Sequence, residues 1–204
     1  MICAVVATSA LTLLLPDSLR LGPSWLLPVA EGILLVTLVV VDPGRISRRS
    51  TFLRWISITL VVVLALSAAW STARLVDDLT HAGPETGSAS ALLRTGGTVW
   101  VSTVVAFALL YFELDSGGAA ARAHHMPDVP DLAFPQHLNP EVRSPGWRPR
   151  MVDYLYLALT NSTAFSPTDV MPLAPWAKMA MAGQSLLSLI ILGLVIARGV
   201  NVLA

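Results

Sequence analysis

Apolar and polar stretches alternate along this chain in a pattern that predicts membrane-crossing helices. Apolar runs occupy residues 1–15, 25–41, 55–73, 96–112 and 179–197, with polar turns or loops between them. A helix rises ~1.5 Å per residue, so about 20 apolar residues cross the hydrocarbon core. The run 55–73 carries no charge and nearly reaches that length. The run 1–15 has no basic residue ahead of it and no small-residue cleavage site, so it reads as a spanning helix rather than a signal peptide. It is short for a span, and the true start of that helix is expected upstream.

A different pattern precedes the last run. Trp147-Arg148-Pro149-Arg150 leads into an apolar segment, 151–159, too short to cross a bilayer. A hydroxyl-rich run, 160–173, follows and contains Ser166-Pro167. The residue before proline is pushed out of helical geometry, so this run is expected to be non-helical. Irregular backbone at membrane depth is tolerated only where protein buries it or where it lines a watery cavity. The sequence therefore predicts an all-α integral membrane protein of about five transmembrane helices, with a re-entrant half-helix and a pore-like loop before the last helix. It divides into N-terminal transmembrane helices, 1–95, and a module over 96–204. The module comprises an outer helix 96–112, a long loop 115–150, a half-helix 151–160, a loop 161–173 and an inner helix 177–203.

Composition sharpens the class. Of the 204 residues, 54% are hydrophobic and 13% charged, against ~25% charged in soluble domains. A formal net charge of +0 argues against nucleic acid as a partner. The lone Cys3 excludes an intrachain disulfide and a cysteine metal cage. Lys178 is the single lysine among 13 basic residues. That bias, with the Ala and Val richness, suggests a bacterial protein of a high-GC genome and a multi-pass place in the cytoplasmic (inner) membrane. No nucleophile–base pair, phosphate loop or metal-ligand spacing is visible, so neither an enzyme nor a cofactor is expected.

A few polar groups stand out. Glu31 lies inside an apolar run, where a carboxylate costs ~2.5–3.5 kcal/mol unless paired, protonated or hydrated. It is either an intramembrane relay or a carboxyl hydrogen-bonded to a neighbouring helix. His124, His125, Asp128, Asp131, His137 and Glu141 share the loop 115–150. Their spacing matches no metal motif, and the loop is expected to be solvated or interfacial. Its Phe134-Pro135 and Trp147 suggest a lid over the membrane face. Trp25, Trp55, Trp70, Trp100 and Tyr111 lie near run ends, where interfacial anchors belong. Asn161-Ser162-Thr163 fits a glycosylation acceptor, a triplet common by chance.

Residues 162–172, Ser162-Thr163-Ala164-Phe165-Ser166-Pro167-Thr168-Asp169-Val170-Met171-Pro172, fall on the filter pattern T-T-x-G-Y/F-G-D-x-x-P. With the short helix before them and the apolar run after, they resemble the pore module of small bacterial ion channels of the potassium-channel superfamily. Asp169 and Pro172 keep the D-x-x-P and Thr163 the entry threonine. Ala177-Lys178 and Val195-Ile196-Ala197-Arg198 resemble the flanks of that family's inner helix. Ser166, Pro167 and Thr168 replace the two filter glycines and the aromatic between them. Proline fixes φ near −65°, and Ser and Thr reach positive φ poorly, so stacked carbonyl cages for dehydrated potassium are not expected. The resemblance implies instead a homo-oligomer, with a tetramer favoured. Ser162, Thr163, Ala164, Phe165, Ser166, Thr168 and Asp169 would form the ion pathway. Monovalent cations would pass with low selectivity, drawn by Asp169 and by the negative end of the half-helix dipole.

Two other readings stay open. One is a small secondary transporter or accessory subunit, with the broken helix as its site and Glu31 as its coupling group. The other is a non-conducting structural membrane protein with a channel-derived fold. Charge and resemblance also pull apart on orientation. Loops 42–54 and 115–150 share a side and hold eight arginines, which places them in the cytoplasm. The channel family's pore loop enters from outside.

Overall fold

The computed structural model describes residues 2–20, 22–23, 25–26, 29–30, 32–33, 51–81, 86–124, 129–139, 141, 143–163 and 169–203. The chain is mostly helical. Its elements are α1 (Ile2–Leu14), α2 (Thr51–Thr80), α3 (Ala89–Leu114), α4 (Ala119–His124), β1 (Leu132–Ala133), α5 (Pro135–Leu138), α6 (Met151–Thr163), β2 (Met171–Pro172) and α7 (Pro175–Leu203). Helices α2, α3 and α7 are long and apolar enough to cross a membrane, and the chain is a membrane protein. With 30, 26 and 29 residues, they extend roughly 39–45 Å. Most of the run 25–41, Glu31 included, lies outside the described residues.

All three long helices outrun the apolar segments that predict them. Residues 74–80 and 89–94, expected in a polar loop over 74–94, are helical. Pairing of Asp77 with Arg74 (3.8 Å) and with His81 (3.1 Å) supports the last turns of α2 in water. Ser88 caps α3 by accepting from the Ala91 N–H at 3.2 Å. The helix expected from Gly96 therefore begins at Ala89.

Helices α2 and α3 pack through Leu60, Val61 and Leu64 against Val105 and Leu109. Helix α7 lies along α3 in the opposite direction. Gly96 of α3 touches Val195 so closely that a Cβ there would sit 2.8 Å from Val195 Cγ2. At the other end of α3, Tyr111 meets Gln184 of α7. The end of α1 and a 3-10 turn, Asp17–Leu19, bring Leu15 and Leu19 onto Leu75, Leu79 and Leu92. The bundle thus has one end with the last turns of α2 and α7, and an opposite end with their first turns and the last turn of α3.

That second end carries the remaining elements. The loop 115–150 is not simply solvated: Leu132, Ala133 and Phe134 are buried in a core with Tyr111, Tyr154, Leu157 and Ala177. β1 pairs with β2 antiparallel, Leu132 opposite Pro172 and Ala133 opposite Met171. Gly118 makes the turn out of α3 at φ +93, and a Cβ there would lie 2.9 Å from the Glu113 carbonyl oxygen. Two further expectations are corrected. The helix through 151–160 runs on to Thr163, because Thr160 and Thr163 return their hydroxyls to the carbonyls of Tyr156 (2.8 Å) and Leu159 (3.0 Å) instead of breaking it. Tyr111 is fully buried rather than an interfacial anchor, because its hydroxyl has a partner inside the bundle.

Candidate functional site around the short helix α6

Helix α6 has 13 residues, about 20 Å of helix. Its Tyr154, Leu157 and Ala158 are buried against α3 and α7. Its last turn is held by amide and hydroxyl groups. Gln184, fully buried on α7, accepts from Tyr111 Oη at 2.7 Å and from Asn161 Nδ2 at 2.9 Å. Its own Nε2 donates to the Ala158 carbonyl and to Ser162 Oγ, both at 2.8 Å. Asn161 Nδ2 also donates to the Met181 carbonyl at 3.0 Å, and Ser185 Oγ donates to Asn161 Oδ1 at 3.1 Å. Both N–H bonds of each amide are therefore used, and each amide oxygen accepts. Such a network is stable in a low dielectric only when complete.

The first turn of α6 is fixed by a buried carboxylate. Asp115, at the end of α3, accepts from Tyr154 Oη at 2.5 Å, Ser116 Oγ at 2.9 Å and the Leu132 N–H at 3.2 Å. Arg122 is buried and donates to the carbonyls of Asp115 (2.5 Å) and Phe112 (2.7 Å), closing the end of α3. Its guanidinium lies 5.0 Å from the Phe112 ring centre and 5.2 Å from that of Tyr154. Asp131 adds a second tie. Its Oδ2 accepts from the Ser116 N–H at 2.9 Å, and its carbonyl accepts from the Leu173 N–H at 2.8 Å. Ser116 holds φ 52, an uncommon angle for a residue with a Cβ, between these two carboxylates. Three helix ends and β2 are thereby fastened together.

Of the expected pathway residues, Ser162 is buried at the α6–α7 contact, Thr163 is exposed on the last turn of α6, and Asp169 is exposed before β2. Ala164, Phe165, Ser166 and Thr168 lie outside the described residues, as does Glu31. Tyr111, Asp115, Arg122, Asn161 and Gln184 hold the site and were not singled out by sequence for that role. Gln184 left a signal, as the one amide in the run 179–197. Among the described residues no group of three or more His, Cys, Asp or Glu stands close enough to hold a metal. A cavity of about 70 Å³ between α2, α3 and α7 is lined by four alanines with Phe107, Leu110, Leu187, Thr72 and Thr103, and touches none of the described pathway residues. Comparison of the chain with family models, with curated proteins and with solved structures finds no match.

Proposed function

We propose that the chain is the subunit of a homo-oligomeric, channel-like protein of a bacterial cytoplasmic membrane, passing monovalent cations with low selectivity. The observation that carries this reading is where the two ends of α6 are held. Tyr154 of its first turn shares Asp115 with Leu132, and Leu132 pairs with Pro172. Asn161 of its last turn meets Met181 and Gln184, which lie roughly 9–14 Å along α7 from Pro175. This supports a chain that enters the bundle along α6 and returns to the same end by β2, a re-entrant element. The last carbonyls of α6 then end at membrane depth, where the negative end of a half-helix favours a cation. Exposed Asp169 at the entrance would raise the local cation concentration.

Four copies around an axis follow the resemblance to the pore module, with α7 as the inner helix. The arginine excess puts the entrance on the cytoplasmic side, inverted relative to that family. One observation favours a second reading, a non-conducting scaffold: the amide network is fully paired and offers a passing ion nothing. Cation flux into liposomes carrying the purified protein separates the two. Flux of potassium and sodium alike is expected, and Asp169→Asn should cut it severalfold. No flux from the wild type would leave the scaffold, and equal flux from the variant would remove Asp169 from the pathway.

A further inference from the structure

The two ends of the bundle treat their cations differently. At the end with the last turn of α2, Arg20 pairs with Asp17 at 2.6 Å, Arg74 with Asp77 at 3.8 Å, and Arg198 donates to the Thr86 carbonyl at 3.4 Å. Arg94 is exposed there. At the α6 end, Arg54, Arg143, Arg150 and Lys178 are exposed, and no carboxylate among the described residues forms an ion pair with any of them. Arg148 is exposed beside them. Among the described residues the carboxylates reaching solvent there are Glu141, Asp169 and the half-exposed Asp153, and Asp153 is turned onto the Arg150 N–H at 2.6 Å. The remaining acids serve the bundle: Glu113 and Asp115 are buried, and Asp131 holds Ser116.

The surplus is carried furthest by Arg143 and Arg150, at the two ends of a stretch, 143–150, that holds no acid. This segment is rooted rather than free. Pro149 is buried, and Trp147 is half-buried with its ring edge-on to His137 at 5.2 Å and Phe134 at 6.1 Å. Arg148 and Arg150, on either side of the buried proline, both face outward. Each part of the patch also has a tryptophan beside it in sequence: Trp55 next to Arg54, Trp147 next to Arg148, and Trp176 two residues before Lys178. Tryptophan next to cations is what a helix end needs at headgroup level.

We propose that this end of the bundle is a binding surface for anionic lipid headgroups, with Arg143 and Arg150 holding lipid phosphates and Arg54 and Lys178 flanking them. Guanidinium groups take phosphate oxygens in bidentate fashion, which a rooted segment presents without ordering a flexible tail. The indole rings and the emerging helices set the patch at the membrane surface, where the phosphate belongs to a lipid. The inference depends on the chain being a membrane protein and not on cation passage.

The test is native mass spectrometry of the full chain equilibrated with equal amounts of phosphatidylglycerol and phosphatidylcholine. The wild type is expected to retain phosphatidylglycerol preferentially, with the preference shrinking as ionic strength rises. Each cation removed should cost about fivefold in that preference, so Arg143→Gln/Arg150→Gln/Lys178→Gln should cut it roughly a hundredfold while Arg94→Gln at the opposite end leaves it intact. Equal retention of the two lipids by the wild type, a preference indifferent to salt, or an equal loss in Arg94→Gln would each overturn the proposal. The salt series uses the unmodified chain, so it decides the matter even if the triple variant folds poorly.

Discussion

His137 shows how one side chain makes this structure sensitive to pH. Its Nδ1 accepts the Phe134 N–H at 3.1 Å, which requires the neutral ring with its proton on Nε2. Burial lowers its pKa; Asp115 opposes the shift and Arg143 adds to it. The unfolded chain therefore takes up a proton before the folded one. Stability is complete above the ordinary histidine value of about 6.5 and falls as pH drops from there toward the lowered folded value. A thermal-unfolding series from pH 8 to 5 should show that fall in the wild type. His137→Asn, which keeps an acceptor for the Phe134 N–H, should lose this part of the pH dependence; a variant as pH-dependent as the wild type would show that His137 is not the group responsible. Sequence marked His137 as a titratable loop residue, but not its backbone partner, because a hydrogen bond three residues away depends on the turn the chain adopts. Gln184 was harder to read. Its partners Tyr111, Ala158, Asn161 and Ser162 come from two other helices, and hydropathy carries no information about which faces meet.

Helix α3 is pressed against α7 at Gly96 and open at the next residue, a contrast that tests the packing directly. A Cβ at Gly96 would lie 2.8 Å from Val195 Cγ2, and valine is stiff at χ1, so the helices must part. Gly96→Ala should destabilise by about 1–3 kcal/mol. At Gly97, beyond its own stretch of helix, no described residue lies within 4 Å of the added carbon, so Gly97→Ala should gain roughly 0.5–1 kcal/mol of helix propensity. Unfolding in a graded mixture of mild and denaturing detergent measures both, and two variants of equal stability would rule out the close contact. The elements themselves were largely legible. Apolar runs located α2, α3 and α7, because the bilayer imposes length and hydropathy together. Their polar ends were not, since a helix needs no apolar residues once it leaves the hydrocarbon. The loop 115–150 misled for the opposite reason. Its longest buried stretch among the described residues is Leu132, Ala133 and Phe134, too short to stand out among the surrounding Gly, Pro and Ala.

At the scale of the molecule, α7 is the least enclosed of the three long helices: 22% of its apolar stretch is buried inside the chain, against 44% for α2 and α3. Its exposed positions are ordered. Ala182, Leu186, Leu189, Gly193, Ile196 and Val200 are all exposed, spaced alternately four and three residues apart. This spacing keeps those positions on one face of α7, and small residues within it, Ala182 and Gly193, would permit close approach of another helix. The reading of α7 as the inner helix of a tetramer predicts that this face meets other copies. Gly193 offers a clean probe, since beyond its own stretch of helix no described residue lies within 4 Å of where a Cβ would stand. Gly193→Ile should leave the subunit's fold unchanged while splitting the assembly. Native mass measurement in lipid nanodiscs is expected to give four copies for the wild type and fewer for the variant. A wild-type monomer would remove the shared axis, and with it a conducting path built from four copies of the α6 element. A tetramer indifferent to Gly193→Ile would keep the assembly but move its contacts to another face, leaving the α7 stripe to the lipid.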